Sequence, residues 1–286
     1  MENPQTIGVV GAGTMGAGIA QACVVAGLPV VMIDVDDARV ARGSNAIAGS
    51  LARSVSKGAI GAADRDAALA RLRGGSDYAA LRDCAFIIEA ATENESLKVA
   101  ILRRIDGVAR ADSIVATNTS SISVGRLAAF VDRPHAFVGT HFFNPVALMN
   151  LVEVVRGPKT DDATVAAAVG LAERLGKTPV VVKDAPGFVV NRLLCPMLNE
   201  AVLAYSQGIA SADDLDEAMK LGCNHPIGPL ALCDLIGLDV LLAVMKVFHH
   251  DFEDPKYRPA PLLEQMVAAG HLGRKSGRGF FTYDAP

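Results

Sequence analysis

The sequence predicts an α/β chain in two parts, a mostly parallel sheet domain over residues 1–184 followed by a smaller all-helical domain over 185–286. Three observations lead there. Short apolar runs alternate with helical patterns through the first two thirds of the chain, which is the mark of successive β-α-β units. A glycine-rich turn, Gly11-Ala-Gly13-Thr-Met-Gly16, stands between the first apolar run and the first helix. After Asp184-Ala-Pro-Gly187 the strand-like runs stop, and a Pro-Gly pair is a natural break in regular structure.

The elements follow in order. Ile7–Val10 reads as a buried strand, and the Ala-rich helix behind the glycine turn stops at Gly27. Val30–Ile33 is a second strand, completing a βαβ unit. Helical patterns over 38–57 and 63–73 precede a strand at 85–89; a charged helix over 95–110 leads to the strand Ile114–Thr117. A helix near 123–129 leads to a strand at 137–141, and strands at 151–155 and 179–183 flank a helix over 161–175. Alternation of this kind packs helices on both faces of a mostly parallel sheet. Beyond Phe188 the periodicity is helical, with 280–283 as the one strand candidate.

Composition narrows the function. The 286 residues are 51% hydrophobic but only 5% aromatic, with no Trp, so the core is built from small aliphatic side chains and has room for one large or two ordinary domains. With 27 basic against 31 acidic residues, a net charge of -4, there is no cationic excess to neutralise a nucleic-acid backbone. A mean hydropathy of +0.31 raises the question of a membrane. A spanning helix needs about 18 or more unbroken apolar residues, whereas 16–33 contains Gln21, Gly27 and Pro29, and 230–248 contains Asp234, Asp239 and Lys246. The opening Met1-Glu-Asn-Pro4 lacks the basic stretch of a secretory leader, so the expectation is a soluble, cytoplasmic protein with neither membrane nor nucleic acid as partner. Cys23, Cys84, Cys195, Cys223 and Cys233 form an odd set without C-x-x-C spacing, as reduced thiols do. Cys223-Asn-His225 with Cys233 matches no zinc spacing, and no metal is expected.

The glycine turn carries a mechanism. Gly11 permits the tight turn, Gly13 lets the backbone approach a pyrophosphate, and Gly16 lets the helix pack close to the strand. Thr14 and Met15 belong to the same turn, and the helix N-terminus offers N–H groups and partial positive charge to phosphates. The motif alone is weak, but here it has the right flanks, and Asp34 closes the second strand 23 residues after Gly11. These mark a Rossmann-type domain. A carboxylate at Asp34 accepts hydrogen bonds from a ribose and repels a 2′-phosphate, favouring NAD over NADP, and Asp36 and Asp37 deepen that field. Arg39 and Arg42 count against this unless they are solvated on their helix.

Oxidising an alcohol requires a base of near-neutral pKa, for which His is the usual choice. Among His135, His141, His225, His249, His250 and His271, only His141 ends a strand of the nucleotide-binding sheet, and ligands bind at the carboxyl ends of such strands. Glu153, twelve residues on, could return beside the imidazole to fix its tautomer and stabilise its cation. Taken alone, a strand-end His is more often structural, and geometry decides.

Several ordered segments go further. Gly11-Ala-Gly-Thr-Met-Gly-Ala-Gly-Ile-Ala20, Ala116-Thr-Asn-Thr-Ser-Ser121, His141-Phe-Phe-Asn-Pro145, Leu151-Val-Glu153, Pro186-Gly-Phe-Val-Val-Asn-Arg192 and Met219-Lys-Leu-Gly222 resemble the short-chain 3-hydroxyacyl-CoA dehydrogenase family, from Ile7 to Phe281. The resemblance implies reversible, NAD-dependent oxidation of an (S)-3-hydroxyacyl-CoA, foremost 3-hydroxybutyryl-CoA, to the 3-ketoacyl-CoA. It implies His141 and Glu153 as a catalytic dyad, with His141 taking the C3-hydroxyl proton and Glu153 orienting it. Ser120, Asn144 and Asn191 correspond to positions around the substrate oxygen. Glu93 and Lys98 fall in the segment bordering the nicotinamide ribose, Glu93 also near His141, and Asn118, Ser120 and Asn144 are counted with the cofactor positions. Ser50 and Lys57 correspond to coenzyme A contacts. Read without the resemblance, Ser120 serves equally as a strand-end hydrogen-bonding residue, and Asn191 as the residue opening a helix.

The chain departs from the family pattern at Ala147 and Asn150, in the loop between the two dyad residues, a departure that bears on loop rigidity and acyl-chain preference and leaves every implied catalytic group present. The family also implies a homodimer through the helical domain, where the apolar faces at 230–236 and 240–248 need cover. Two other readings compete: a dehydrogenase of the same superfamily acting on a free hydroxy acid of the L-gulonate type, and a noncatalytic dinucleotide-binding protein that kept the fold.

Overall fold

The computed structural model describes residues 5–284; the segment 1–4, read above for its lack of a basic leader, falls outside the described residues. The chain divides into two compact units, one ending at Ala185 and the other beginning at Pro186.

The first unit is built in chain order from β1 (Ile7–Val10), α1 (Thr14–Val25), β2 (Val30–Ile33), α2 (Asp37–Ser56), α3 (Ala62–Leu69), β3 (Leu72–Gly75), β4 (Phe86–Glu89) and α4 (Glu95–Asp106). It continues with β5 (Ile114–Thr117), α5 (Val124–Ala128), β6 (Phe137–Phe142), β7 (Leu151–Arg156), α6 (Asp162–Arg174) and β8 (Thr178–Lys183). The strands form one sheet in the order β3-β2-β1-β4-β5-β6-β7-β8. Strand order reverses between β1 and β4, and in a Rossmann-type sheet the ligand crevice opens at the carboxyl ends of strands at such a reversal. Every residue of β1, β4 and β6 is buried, which accounts for their unbroken apolar runs. The core runs through Val9, Ile19, Cys23, Met32, Ile88, Val138 and Val154.

Two details of this unit differ from the sequence expectations. The helical pattern over 63–73 stops at Leu69, and Leu72–Gly75 forms an edge strand parallel to β2. Leu72-Arg-Gly-Gly has no strand pattern of its own; Gly74 serves close packing, since a Cβ there would run into the Val40 side chain of α2. The helix expected to reach 110 ends at Asp106, with Gly107 as its cap. One pair, β6 with β7, is antiparallel, because the loop between them is too short for the crossover that parallel strands require.

The second unit contains α7 (Val190–Ser206), α8 (Ala212–Cys223), α9 (Pro229–Ile236), α10 (Leu238–Phe252) and α11 (Pro261–Ala268). Leu198, Val202, Leu230, Cys233, Leu241, Met245, Phe248 and Leu263 fill its core. Asp216 of α8 caps α9 by accepting from the N–H groups of Leu230 (2.8 Å) and Ala231 (2.9 Å). The expected strand at 280–283 does not form. The chain there bends around Asp234, whose carboxylate accepts from Phe280 N (3.0 Å), Phe281 N (2.9 Å) and the Tyr283 hydroxyl (2.9 Å), and only isolated bridges remain.

All five cysteines are free thiols, and four are buried; burial pushes Cys23 and Cys195 up to about 12, far from the reactive thiolate. Among the described residues no helix is long and apolar enough to cross a membrane.

Candidate active site

The crevice is formed first by the turn after β1. Gly11 takes φ +111, a left-handed conformation, and a Cβ there would sit 2.6 Å from the Ala90 carbonyl oxygen. Gly16 packs so tightly that a Cβ would run into the carbonyl oxygen of Gly11. Gly13 differs from both: it is the N-cap of α1 in an extended conformation, and nothing lies within 4 Å of the position its Cβ would take. No side chain caps α1, so the N–H groups of its first turn, which includes Thr14 and Met15, face the open side of Gly13. Bare helix N–H groups beside an unobstructed glycine fit a pyrophosphate.

Asp34 closes the far side of this turn. Its Oδ2 accepts from Ala12 N and its Oδ1 from Val35 N, both at 2.7 Å, which fixes the carboxylate at the end of β2. Arg39 leans on Asp36, whose Oδ1 accepts from Arg39 N at 2.7 Å while the guanidinium Nε lies 3.7 Å from Oδ2.

At the other side of the reversal, β6 and β7 set His141 directly opposite Glu153. His141 Nδ1 lies 2.7 Å from Glu153 Oε2, with His141 at 6% exposure and Glu153 at 1%. A carboxylate only accepts, so the imidazole proton sits on Nδ1 and Nε2 is the basic nitrogen. The Phe143 ring stands 4.4 Å from the imidazole, centroid to centroid. Asn118 ties this strand end to its neighbour, its side-chain oxygen accepting from Phe142 N at 2.9 Å. The loop between the dyad residues, with Asn144, Ala147 and Asn150 exposed, is clamped by Lys177, whose ammonium donates to the carbonyls of Val146 (2.6 Å) and Met149 (2.9 Å).

Glu93 anchors the turn that carries Ser120. Its Oε1 accepts from the hydroxyl of Thr119 (2.7 Å), the N–H groups of Ser120 and Ser121 (both 2.9 Å) and the hydroxyl of Ser121 (3.0 Å); the Ser120 hydroxyl lies at 3.4 Å. Burial alone would raise the pKa of this carboxyl, but the Lys98 ammonium and the bonds from Thr119, Ser120 and Ser121 outweigh it and hold the group below its ordinary value of 4.5. Lys98 itself is 1% exposed and paired with Glu89 at 2.7 Å.

Ser50 and Lys57 lie seven residues apart on one side of α2, Lys57 exposed at its C-cap. Asn191 stands in the first turn of α7, in the second unit. Sequence reasoning missed Glu89, Thr117 and Lys177. An acidic residue ending the buried run Phe86-Ile-Ile-Glu89 was the available signal for the first.

Residues 6–185 match the family model described as the NAD-binding domain of 3-hydroxyacyl-CoA dehydrogenase, and residues 187–283 match that of its C-terminal domain. The chain belongs to the 3-hydroxyacyl-CoA dehydrogenase family. It is 48% identical over 277 residues to the 3-hydroxybutyryl-CoA dehydrogenase of Bradyrhizobium diazoefficiens, covering 97% of this chain and 94% of the relative. Identity to the mitochondrial hydroxyacyl-coenzyme A dehydrogenase of Sus scrofa is 40%, over 96% of this chain and 90% of the pig protein. The crystal structure of (S)-3-hydroxybutyryl-CoA dehydrogenase from Ralstonia eutropha superposes with a TM-score of 0.97 at 56% identity, covering 99% of this chain and all of that one.

The two glycines predict different failures. G16A should lose stability, by roughly 1–3 kcal/mol for an overpacked contact, whereas G13A should keep the wild-type thermal midpoint and lose NADH affinity. Thermal melts with NADH titration separate them; a G13A protein that binds NADH normally contradicts the assignment of that open face to the pyrophosphate.

The depressed pKa of Glu93 predicts a pH-dependent stability. A carboxyl whose folded pKa lies below its unfolded value adds stability that is complete above the unfolded pKa and disappears as pH falls through the folded one. Wild type should therefore exceed E93Q in urea stability at neutral pH, the gap closing below about pH 4. A gap of equal size at pH 7 and pH 3 would contradict this.

Proposed function

We propose that this chain catalyses the reversible NAD-dependent oxidation of (S)-3-hydroxybutyryl-CoA to acetoacetyl-CoA. The observation that carries the proposal is the buried His141–Glu153 pair on β6 and β7 of the same sheet whose first strand leads into the dinucleotide turn. When bound, NAD supplies the hydride acceptor at its nicotinamide ring. The rest is the work of side chains. His141 takes the C3-hydroxyl proton at Nε2, and in the reverse direction the imidazolium returns it to the developing alkoxide. Glu153 holds the proton of the neutral ring on Nδ1 and stabilises the imidazolium. A buried anion opposite a buried imidazole is worth more here than in water.

Ser120 and Asn144 hold the substrate oxygen in line, a role that the family resemblance gives to Asn191 as well. Gly13, Thr14 and Met15, in the turn that Gly11 and Gly16 shape, receive the pyrophosphate, and Asp34 receives the adenosine ribose. Glu93, Lys98, Asn118, Ser120 and Asn144 border the nicotinamide half. Ser50 and the exposed ammonium of Lys57 take coenzyme A, a polyanion that needs local cations on a chain of net charge -4. The proposal extends to a homodimer through the second unit, supported by exposed Leu193, Ile209 and Leu221 on its helices and loops, and to a cytoplasmic location, supported by five free thiols.

The decisive assay follows NADH consumption with acetoacetyl-CoA. Turnover should require NADH in strong preference to NADPH, and E153Q should lower kcat by about 10²-fold, as expected when a general acid–base residue loses its orienting partner. Absence of turnover, or turnover only with free hydroxy acids, would overturn the proposal.

A further inference from the structure

The carboxyl end of β4 holds a buried carboxylate, Glu89, to which the proposed reaction gives no role. Glu89 is fully buried, and each of its oxygens receives only donors. Oε1 accepts from Ala91 N (2.9 Å) and Lys98 Nζ (3.0 Å), while Oε2 accepts from Lys98 Nζ and the Thr117 hydroxyl, both at 2.7 Å. Its main-chain carbonyl accepts from Asn118 N at 2.7 Å.

Two routes lead from this carboxylate to Ser120. The first follows the chain, since Thr117 and Asn118 are held by Glu89 and stand three and two residues before Ser120. The second follows charge, since the Lys98 ammonium lies 3.9 Å from Glu93, whose other oxygen receives the N–H groups of Ser120 and Ser121. A buried ion pair is a poor device for stability alone, because well-packed apolar residues would serve as well or better. Three donors making four hydrogen bonds to one carboxylate at the lip of the crevice call for another explanation.

We infer that Glu89 is a positioning residue: through Thr117 and Lys98 it sets the turn from Asn118 to Ser121 and so fixes the Ser120 hydroxyl for the reacting oxygen. The inference rests on the role given to Ser120 in the proposed function. Glu89 touches neither substrate nor cofactor in this scheme. It acts through geometry, so its contribution must vanish once the Ser120 hydroxyl is gone.

A double-mutant cycle reads that dependence. E89Q keeps the shape of the side chain but sets an amide N–H against a donor whichever way it is turned, loosening Thr117 or Lys98. The measurement is kcat/KM for acetoacetyl-CoA in wild type, E89Q, S120A and E89Q/S120A, with thermal midpoints alongside. Coupled contacts in one network predict a loss of about tenfold in E89Q, at least as much in S120A, and no further loss in the double variant. T117V, which removes only a hydroxyl, should show the same non-additivity with S120A and guards against a folding failure in E89Q. Losses that multiply in the double variants, or full activity in both E89Q and T117V, would overturn the inference. Full activity in S120A would instead refute the role assigned to Ser120, and this inference with it.

Discussion

A carboxylate with almost no access to water needs a partner, and the sheet supplies one to Glu153 by running β7 antiparallel to β6. This pairing is the constraint on which the site depends. Because strand side chains alternate between faces, a slip of one residue in register would send Glu153 to the opposite side of the sheet from His141. The eight residues between Phe142 and Leu151 therefore cannot float. Lys177 pins two of their carbonyls from the far end of α6, and Val146 seats against Gly18 of α1, where a Cβ would stand only 2.9 Å from its Cγ2. The loop that joins the two dyad residues is thus tied to the same helix whose N-terminus faces the dinucleotide turn.

Electrostatics at the crevice are local. The chain is mildly acidic, so an anionic dinucleotide gains nothing from net charge. Attraction comes from the bare N-terminus of α1, while Asp34, held by Ala12 N, sets the negative limit at the ribose end. The deeply buried cation Lys98 is matched by Glu89 and lies near Glu93, which spreads its charge over two carboxylates. Positive and negative groups at the strand ends thus serve mostly to hold one another and the turns they belong to.

Much of this was legible in the sequence where a local pattern carries the physics. Ile7–Val10, the glycines behind it and Asp34 could be read because a buried strand, a tight turn and a carboxylate at a strand end each leave a signature within a few residues. His141 could be read from its strand-end position and Glu153 as a partner returned by a short connection, though not their register, which the antiparallel hairpin sets. Leu72–Gly75 was illegible as a strand because its character comes from docking on β2, and Gly74 exists for the approach of α2. Glu89 and Thr117 were equally hidden, since one polar residue closing an apolar run looks like a boundary until its partners arrive from another helix and another strand. The bend at 280–283 shows the reverse case: its aromatic run suggests a strand, but Asp234 captures its N–H groups first.

The central claim is that the buried imidazole of His141 moves the proton and takes no part in holding the dinucleotide, which the glycine turn, Asp34 and the residues of the nicotinamide half receive. The most direct measurement is single-turnover reduction of acetoacetyl-CoA by H141N, followed through NADH fluorescence, with NADH affinity determined on the same protein. We expect transfer to slow by about 10²–10⁴-fold, the usual contribution of a positioned acid–base group, with NADH affinity unchanged. Transfer at the wild-type rate in H141N would contradict the claim.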